Sequence, residues 1–202
     1  MQEKELYREL GRLTRSRDQW EENIPHVSAL LHGHTTEITA KALWLLGEMG
    51  LVYPGDVKQY VLSIAAFLEA EASLLRERAL NALGRIGRAD FDTVKPYLRD
   101  MLALSRDSAP NVRLSLIWAS ENIAVNTPAA FEDCMELFAG LLNDLDDRVR
   151  IEAPEIFRVL GKRKPDYVRP YLEKLAYLME NDHNPVVRVH SGGAIKAVQM
   201  RR

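Results

Sequence analysis

The 202 residues hold a single cysteine, Cys134, so no disulfide can close within the chain. No run of about 18 apolar residues occurs, which argues against a membrane-spanning helix. Neither sign of charge is in excess. With a formal net charge of -2, bulk electrostatics demand no polyanionic or polycationic partner. A glycine-rich phosphate loop, a His-Glu-x-x-His pair and a Gly-x-Ser-x-Gly elbow are all missing. No alternating run bounded by turn dipeptides argues for a strand. The first residues, MQEKELYREL, are charged and lack the apolar core of a secretory signal. The expectation is a cytoplasmic, all-α protein that is not an enzyme, with no catalytic residue, metal or cofactor. His32 and His34 stand two apart in a loop without a neighbouring carboxylate or thiol, and read as solvated rather than as metal ligands. Cys134 has no activating neighbour and reads as inert.

What is present is a repeat. The composition, 47% hydrophobic and 28% charged, suffices for a continuous core. In Ser73 to Gly87, Leu75, Ala79, Leu83 and Ile86 recur at spacings of three and four, one stripe of an amphipathic helix. The dipeptide Leu75-Arg76 returns as Val112-Arg113 and Val149-Arg150 at intervals of 37, and as Val187-Arg188 after 38. Ile38-Thr39 lies 37 residues earlier. Five occurrences at one period mean an array of structural repeats.

Each unit reads as helix, short turn, helix. The expected boundaries are an N-terminal cap helix in 1–17 and repeats at about 18–50, 55–88, 91–125, 127–162 and 165–202, forming one domain. The cap covers the apolar end of the stack with Leu6, Leu10 and Leu13. Trp20 is expected in the core. Thr127 and Asn184 each precede a proline, as capping residues do at a helix start. Pro96 and Pro170 sit in the near-identical pentapeptides VKPYL and VRPYL, 74 residues apart, and should bend the first helices in the same place. Pro154, without a counterpart, should kink its second helix locally.

These residues resemble HEAT repeats: a first helix with an internal proline, a turn with Asp or Asn, then Val-Arg opening the second helix. Asp147-Arg-Val-Arg150 and Asn184-Pro-Val-Val-Arg188 carry the pattern, and Ser108-Ala-Pro-Asn-Val-Arg113 is similar. Thr39 departs from it. The repeats look most similar to the short bacterial and archaeal kind related to phycobilin lyases. The resemblance implies a right-handed α-solenoid of about five helical hairpins. It also implies that the recurring Asp and Arg bond across neighbouring units as a ladder. Arg76, Arg113, Arg150 and Arg188 fall on the flank of the buried stripe, about 70° from its centre, where either a ladder or a ligand contact is accessible.

In such a solenoid the second helices line the concave surface. Opposite the stripe fall Glu77, Asn81, Gly84 and Arg88, and one period carries Asn81 to Trp44, Trp118 and Glu155. Glu77 carries to Ala40, Leu114 and Ile151. Trp44, Asn81, Arg85, Leu114, Trp118, Ile151 and Glu155 are therefore the candidate partner-binding residues. An apolar patch with tryptophan marks an interaction site, unless tight winding packs these side chains between neighbouring second helices. The second-helix windows carry a net +9 and the remainder -11, which suits an acidic partner unless ladder pairing already spends those charges and Arg201 and Arg202 are a frayed end.

The expected function is a non-enzymatic scaffold that binds a protein or peptide on the concave second-helix face. The alternative is a nucleic-acid-binding protein resembling HEAT-like alkylpurine glycosylases, with Trp44, Trp118, Arg85 and Arg158 against DNA. No aspartate on the inner positions and a pI near 6.2 count against it. A bilin lyase rests on family analogy alone.

Overall fold

The computed structural model describes residues 3–199, and every regular element among them is helical. Met200, Arg201 and Arg202, expected as a helix end and a frayed tail, lie outside the described residues. The chain divides into two compact units, Met1–Leu104 and Ser105–Arg202.

In the first unit, α1 spans Glu3–Leu13 and buries Leu6, Leu10 and Leu13. The indole of Trp20, buried at the start of α2 (Trp20–Ala29), donates from Nε1 to the Leu13 carbonyl at 2.8 Å and pins the two helices together. Two 17-residue helices follow, α3 (Thr36–Val52) and α4 (Ser73–Ala89), and they pack closely. Gly47 and Gly50 permit this. A Cβ on Gly47 would stand 2.7 Å from the Ala82 Cα, and one on Gly50 would stand 2.5 Å from Ile86 Cγ1.

In the second unit, α5 (Pro110–Asn126) and α6 (Asp147–Arg163) are again 17 residues long. Helix α7 (Leu172–Asn181) leads into α8 (Pro185–Gln199). Helix α6 packs on α5 on one side and α8 on the other. It continues as one helix through Pro154, the position where a local kink was expected. Asn184 caps α8 by accepting from the Val186 amide at 2.9 Å. Thr127 makes no such bond, and a 3₁₀ helix, Pro128–Cys134, follows it.

The helices preceding α4, α5 and α8 are not uniform. Each contains a 3₁₀ turn at one frame position: Lys58–Tyr60, Lys95–Tyr97 and Arg169–Tyr171. Pro96 and Pro170 occupy two of these turns, but Gln59 holds the same place in the first. The break therefore belongs to the repeat, and proline is accommodated there because the local winding already departs from α. Val57, Val94, Phe131 and Val168, 37 apart, are fully buried just before or within these turns.

The change of period to 38 has a geometric cause. From Ile64 to Ala70, Met101 to Asp107 and Phe138 to Asp144 the chain takes six steps; from Leu175 to Asp182 it takes seven. The shorter stretches end in 3₁₀ winding, at Ala66–Glu69, at Leu104–Arg106, and through the bonds Asn143 N to Gly140 O and Asp144 N to Leu141 O. Helix α7 stays α, and the Asp182 amide reaches back to Leu178 O. Three α steps plus three 3₁₀ steps span about 10.5 Å, the same as seven α steps.

Candidate functional site

The arginines of the repeated dipeptide share one geometry. Arg76, Arg113, Arg150 and Arg188 each donate from Nη1 to the carbonyl six residues upstream, on Ala70, Asp107, Asp144 and Asp182, at 2.7 Å in every case. This clamps the turn before the helix. Arg113 and Arg150 also grip carboxylates of the turns around them. Arg113 grips Asp144 with Nε at 2.6 Å and Nη2 at 2.7 Å. Arg150 reaches Asp182 at 3.2 Å and Asp147 at 2.6 Å. Asp107, Asp144 and Asp182 each accept from the amide two residues on, so one carboxylate shapes its own turn. Burial raises the Asp144 carboxyl, but the Arg113 and Asp146 hydrogen bonds outweigh it and hold the group below its ordinary value.

In the first unit, Trp44 lines a cleft of about 260 Å³ together with Tyr7, Glu37, Ala40, Lys41, Leu74 and Arg78. Lys41 Nζ lies over the Trp44 ring, 4.7 Å from its centre. Burial, and then the nearby Arg78 charge, lower the Lys41 ammonium. Arg85 is held by Glu48 at 2.6 Å and donates to the Asn81 carbonyl. Asn81 itself is 9% exposed, so the expectation that it faces a partner is corrected. Gly84 and Ala40, expected opposite the stripe, are buried too, while Leu75, expected inside, is half-buried. Helix α3 is buried around most of its circumference by α1 and α2 on one side and α4 on the other. A single-stripe reading of these second helices therefore fails.

In the second unit, Leu114 and Trp118 lie one turn apart on α5, as do Ile151 and Glu155 on α6. Trp118 is 39% exposed, and Leu114, Ile151 and Glu155 are half-buried. Val189, at the frame position of Leu114 and Ile151 on α8, is 71% exposed. His190 Nδ1 lies 2.8 Å from the Ile151 carbonyl and 3.5 Å from Glu155. Arg158 pairs with Glu155. Glu121 has a buried Oε1 with no hydrogen-bond partner. Burial, then Glu152 and Glu155, push its carboxyl up from 4.5 to about 8, against the pull of Arg158. Carboxylates outnumber cations among these residues, which agrees with the ladder-pairing alternative rather than with a basic inner side. A window sum counts Arg148 and Arg150, which Asp146, Asp147 and Asp182 already engage.

The sequence reading passed over Lys41 and Arg78. They share one frame position, 37 residues apart, and continue to Ser115, Glu152 and His190. That row is the signal that would have found them. His32 stacks on Phe67 and His34 lies 3.5 Å from Glu3. Burial and Asp133 raise the Cys134 thiol, which suppresses its thiolate. Among the described residues no group of three His, Cys, Asp or Glu side chains could hold a metal ion, and no helix is long and apolar enough to cross a membrane.

Helical hairpins at a 37-residue period, with Arg76, Arg113, Arg150 and Arg188 clamping the later turns, define an armadillo/HEAT-type repeat protein. The solved structures agree on the fold. An engineered protein superposes with a TM-score of 0.74 at 16% identity, covering 95% of this chain and 84% of its own. A designed armadillo repeat protein in complex with the peptide (KR)4 gives 0.72 at 17% identity, covering 95% and 91%. These neighbours bear on the repeat fold and not on the phycobilin-lyase subtype. No curated protein matches the sequence. The family model of the sister chromatid cohesion protein PDS5 matches residues 23–191, and the chain belongs to that family.

Proposed function

We propose that the chain is a non-enzymatic interaction scaffold that binds a segment of a partner protein on the concave face of its second helices. The observation that carries this reading is Trp118, an exposed tryptophan beside Leu114, with Ile151 and Val189 continuing the apolar row. Exposed tryptophan within an apolar patch is the composition of an interaction anchor. Trp44, Leu114, Trp118, Ile151 and Glu155 are the proposed contacts, Asn81 is withdrawn, and Arg85 stays at the margin through its pair with Glu48. The turn arginines serve the ladder. The similarity to a designed armadillo protein in complex with a peptide supports a peptide as the class of occupant. DNA is less favoured. Arg85 and Arg158, the residues cast against phosphate, are held by Glu48 and Glu155.

A random peptide library displayed on phage tests the proposal. Selected peptides are expected to lose about tenfold in affinity on Trp118→Ala, on the order of 1.4 kcal/mol. They should be unaffected by Tyr177→Ala, an exposed position on α7. Binders indifferent to Trp118→Ala, or retention of duplex DNA in preference to any peptide, would overturn it.

A further inference from the structure

We infer that the cleft of the first unit receives a carboxylate side chain from an extended acidic segment of a partner protein. The inference rests on the scaffold reading and specifies the chemistry of one of its pockets. Helices α3 and α4 deliver Lys41 and Arg78 from equivalent frame positions, so their cationic ends converge on one opening, where Glu37 is the carboxylate in the lining.

Lys41 is the informative residue. Among the described residues no carboxylate pairs with it. Its ammonium rests instead on the face of Trp44, a weaker substitute that leaves donors unused. Arg78 has Glu77 at 3.5 Å, a loose contact that leaves the guanidinium free to take a second acceptor. An arriving carboxylate would relieve the repulsion between the two cations and complete both. The walls match the stem of such a side chain. Trp44, Leu74 and Tyr7 offer apolar surface to methylene groups, while the cations hold the acidic tip. At about 260 Å³ the cleft is smaller than a typical small-molecule pocket and suits one or two side chains.

The test uses the full chain and fluorescence anisotropy with two labelled octapeptides, (Asp-Glu)4 and (Lys-Arg)4, at about 50 and about 300 mM salt. The acidic peptide is expected to bind, to weaken with salt, and to lose about tenfold on Lys41→Gln with Arg78→Gln. Tyr177→Ala should leave it unchanged. Lys41→Glu with Arg78→Glu should reverse the preference toward the basic peptide. Lys41→Met keeps the stem over Trp44 and serves as the charge-removing variant if a double substitution unfolds, a point read from its thermal melt. The inference falls if the charge-removing variants bind (Asp-Glu)4 as the wild type does, if the wild type does not bind it, or if a thymidine octanucleotide displaces it. Should (Asp-Glu)4 fail while peptides selected on the Trp118 face still bind, the cleft inference alone is lost. Loss of every peptide overturns the scaffold reading as well.

Discussion

Where long helices meet, the first unit closes over missing side chains with one ion pair, Arg85 to Glu48, across the contact, and the second adds turn arginines that grip carboxylates of the next repeat. In the first, α3 and α4 close over Gly47 and Gly50, with Ala82 and Ile86 filling the space. In the second, Arg113 to Asp144 and Arg150 to Asp182 tie each second helix to the turn of the following unit. The difference traces to two frame positions. Thr39 stands where the later repeats carry arginine, and Ala70 stands where they carry Asp107, Asp144 and Asp182. The row differs too, as Lys41 and Arg78 in the first unit become Ser115, Glu152 and His190 in the second. One buried frame thus carries different joints and different exposed rows, because it depends on neither.

The largest expected effect tests the charged joint. Arg150→Met leaves Asp182, whose side chain is 6% exposed, without its guanidinium, and should cost roughly 3–4 kcal/mol in urea denaturation. Arg188 makes the same carbonyl bond but reaches no forward carboxylate among the described residues, so Arg188→Met should cost about 1 kcal/mol. Equal losses would mean that the turn clamp, not the joint between units, carries the energy.

Next comes the acidity of the second unit. A carboxyl raised from 4.5 to about 8 holds its proton in the folded state after the unfolded chain has released it. Its contribution is full below pH 4.5 and is lost as pH rises through 8. Glu121→Gln should therefore be near neutral at pH 5 and stabilise by on the order of 3 kcal/mol at pH 9. A pH-independent effect would show that Glu121 is ionised in the fold.

The smallest effect tests the glycine joint. Gly47→Ala drives a methyl against backbone and should destabilise by about 2 kcal/mol in a thermal melt. Gly161→Ala in the second unit meets the Val198 Cγ2 at 3.0 Å, a side chain that can yield, and gains helix propensity, so it should stay within about 0.5 kcal/mol of wild type. If the two lose equally, close approach does not distinguish the units.

The repeat was legible because burial recurs with it. Ile64, Met101, Phe138 and Leu175, 37 apart, are all buried, as are Met49, Ile86, Ile123, Leu160 and, across the 38-residue step, Val198. Trp118 could also be placed, since it falls opposite the stripe one turn from Leu114, and it is exposed. Asn81 and Ala40 could not. A stripe argument assigns one buried face, whereas a helix flanked on two sides and backed by its own hairpin partner has only a narrow open strip. The Lys41–Trp44 contact was hidden because the candidate rows ran through Trp44 and Ala40, not through the residue beside them. The local charge of the second unit followed the alternative that the sequence left open, because turn aspartates engage Arg148 and Arg150, which a count along the chain includes at full weight.

The interchange between α and 3₁₀ winding in the first helices has an evolutionary consequence. Axial length, rather than residue number, is what neighbouring layers must match, and two windings let six or seven residues supply the same reach. A one-residue insertion or deletion just ahead of a turn can then be absorbed where it occurs, without shifting buried positions on either side. Such a chain can drift in length as well as in sequence and still stack.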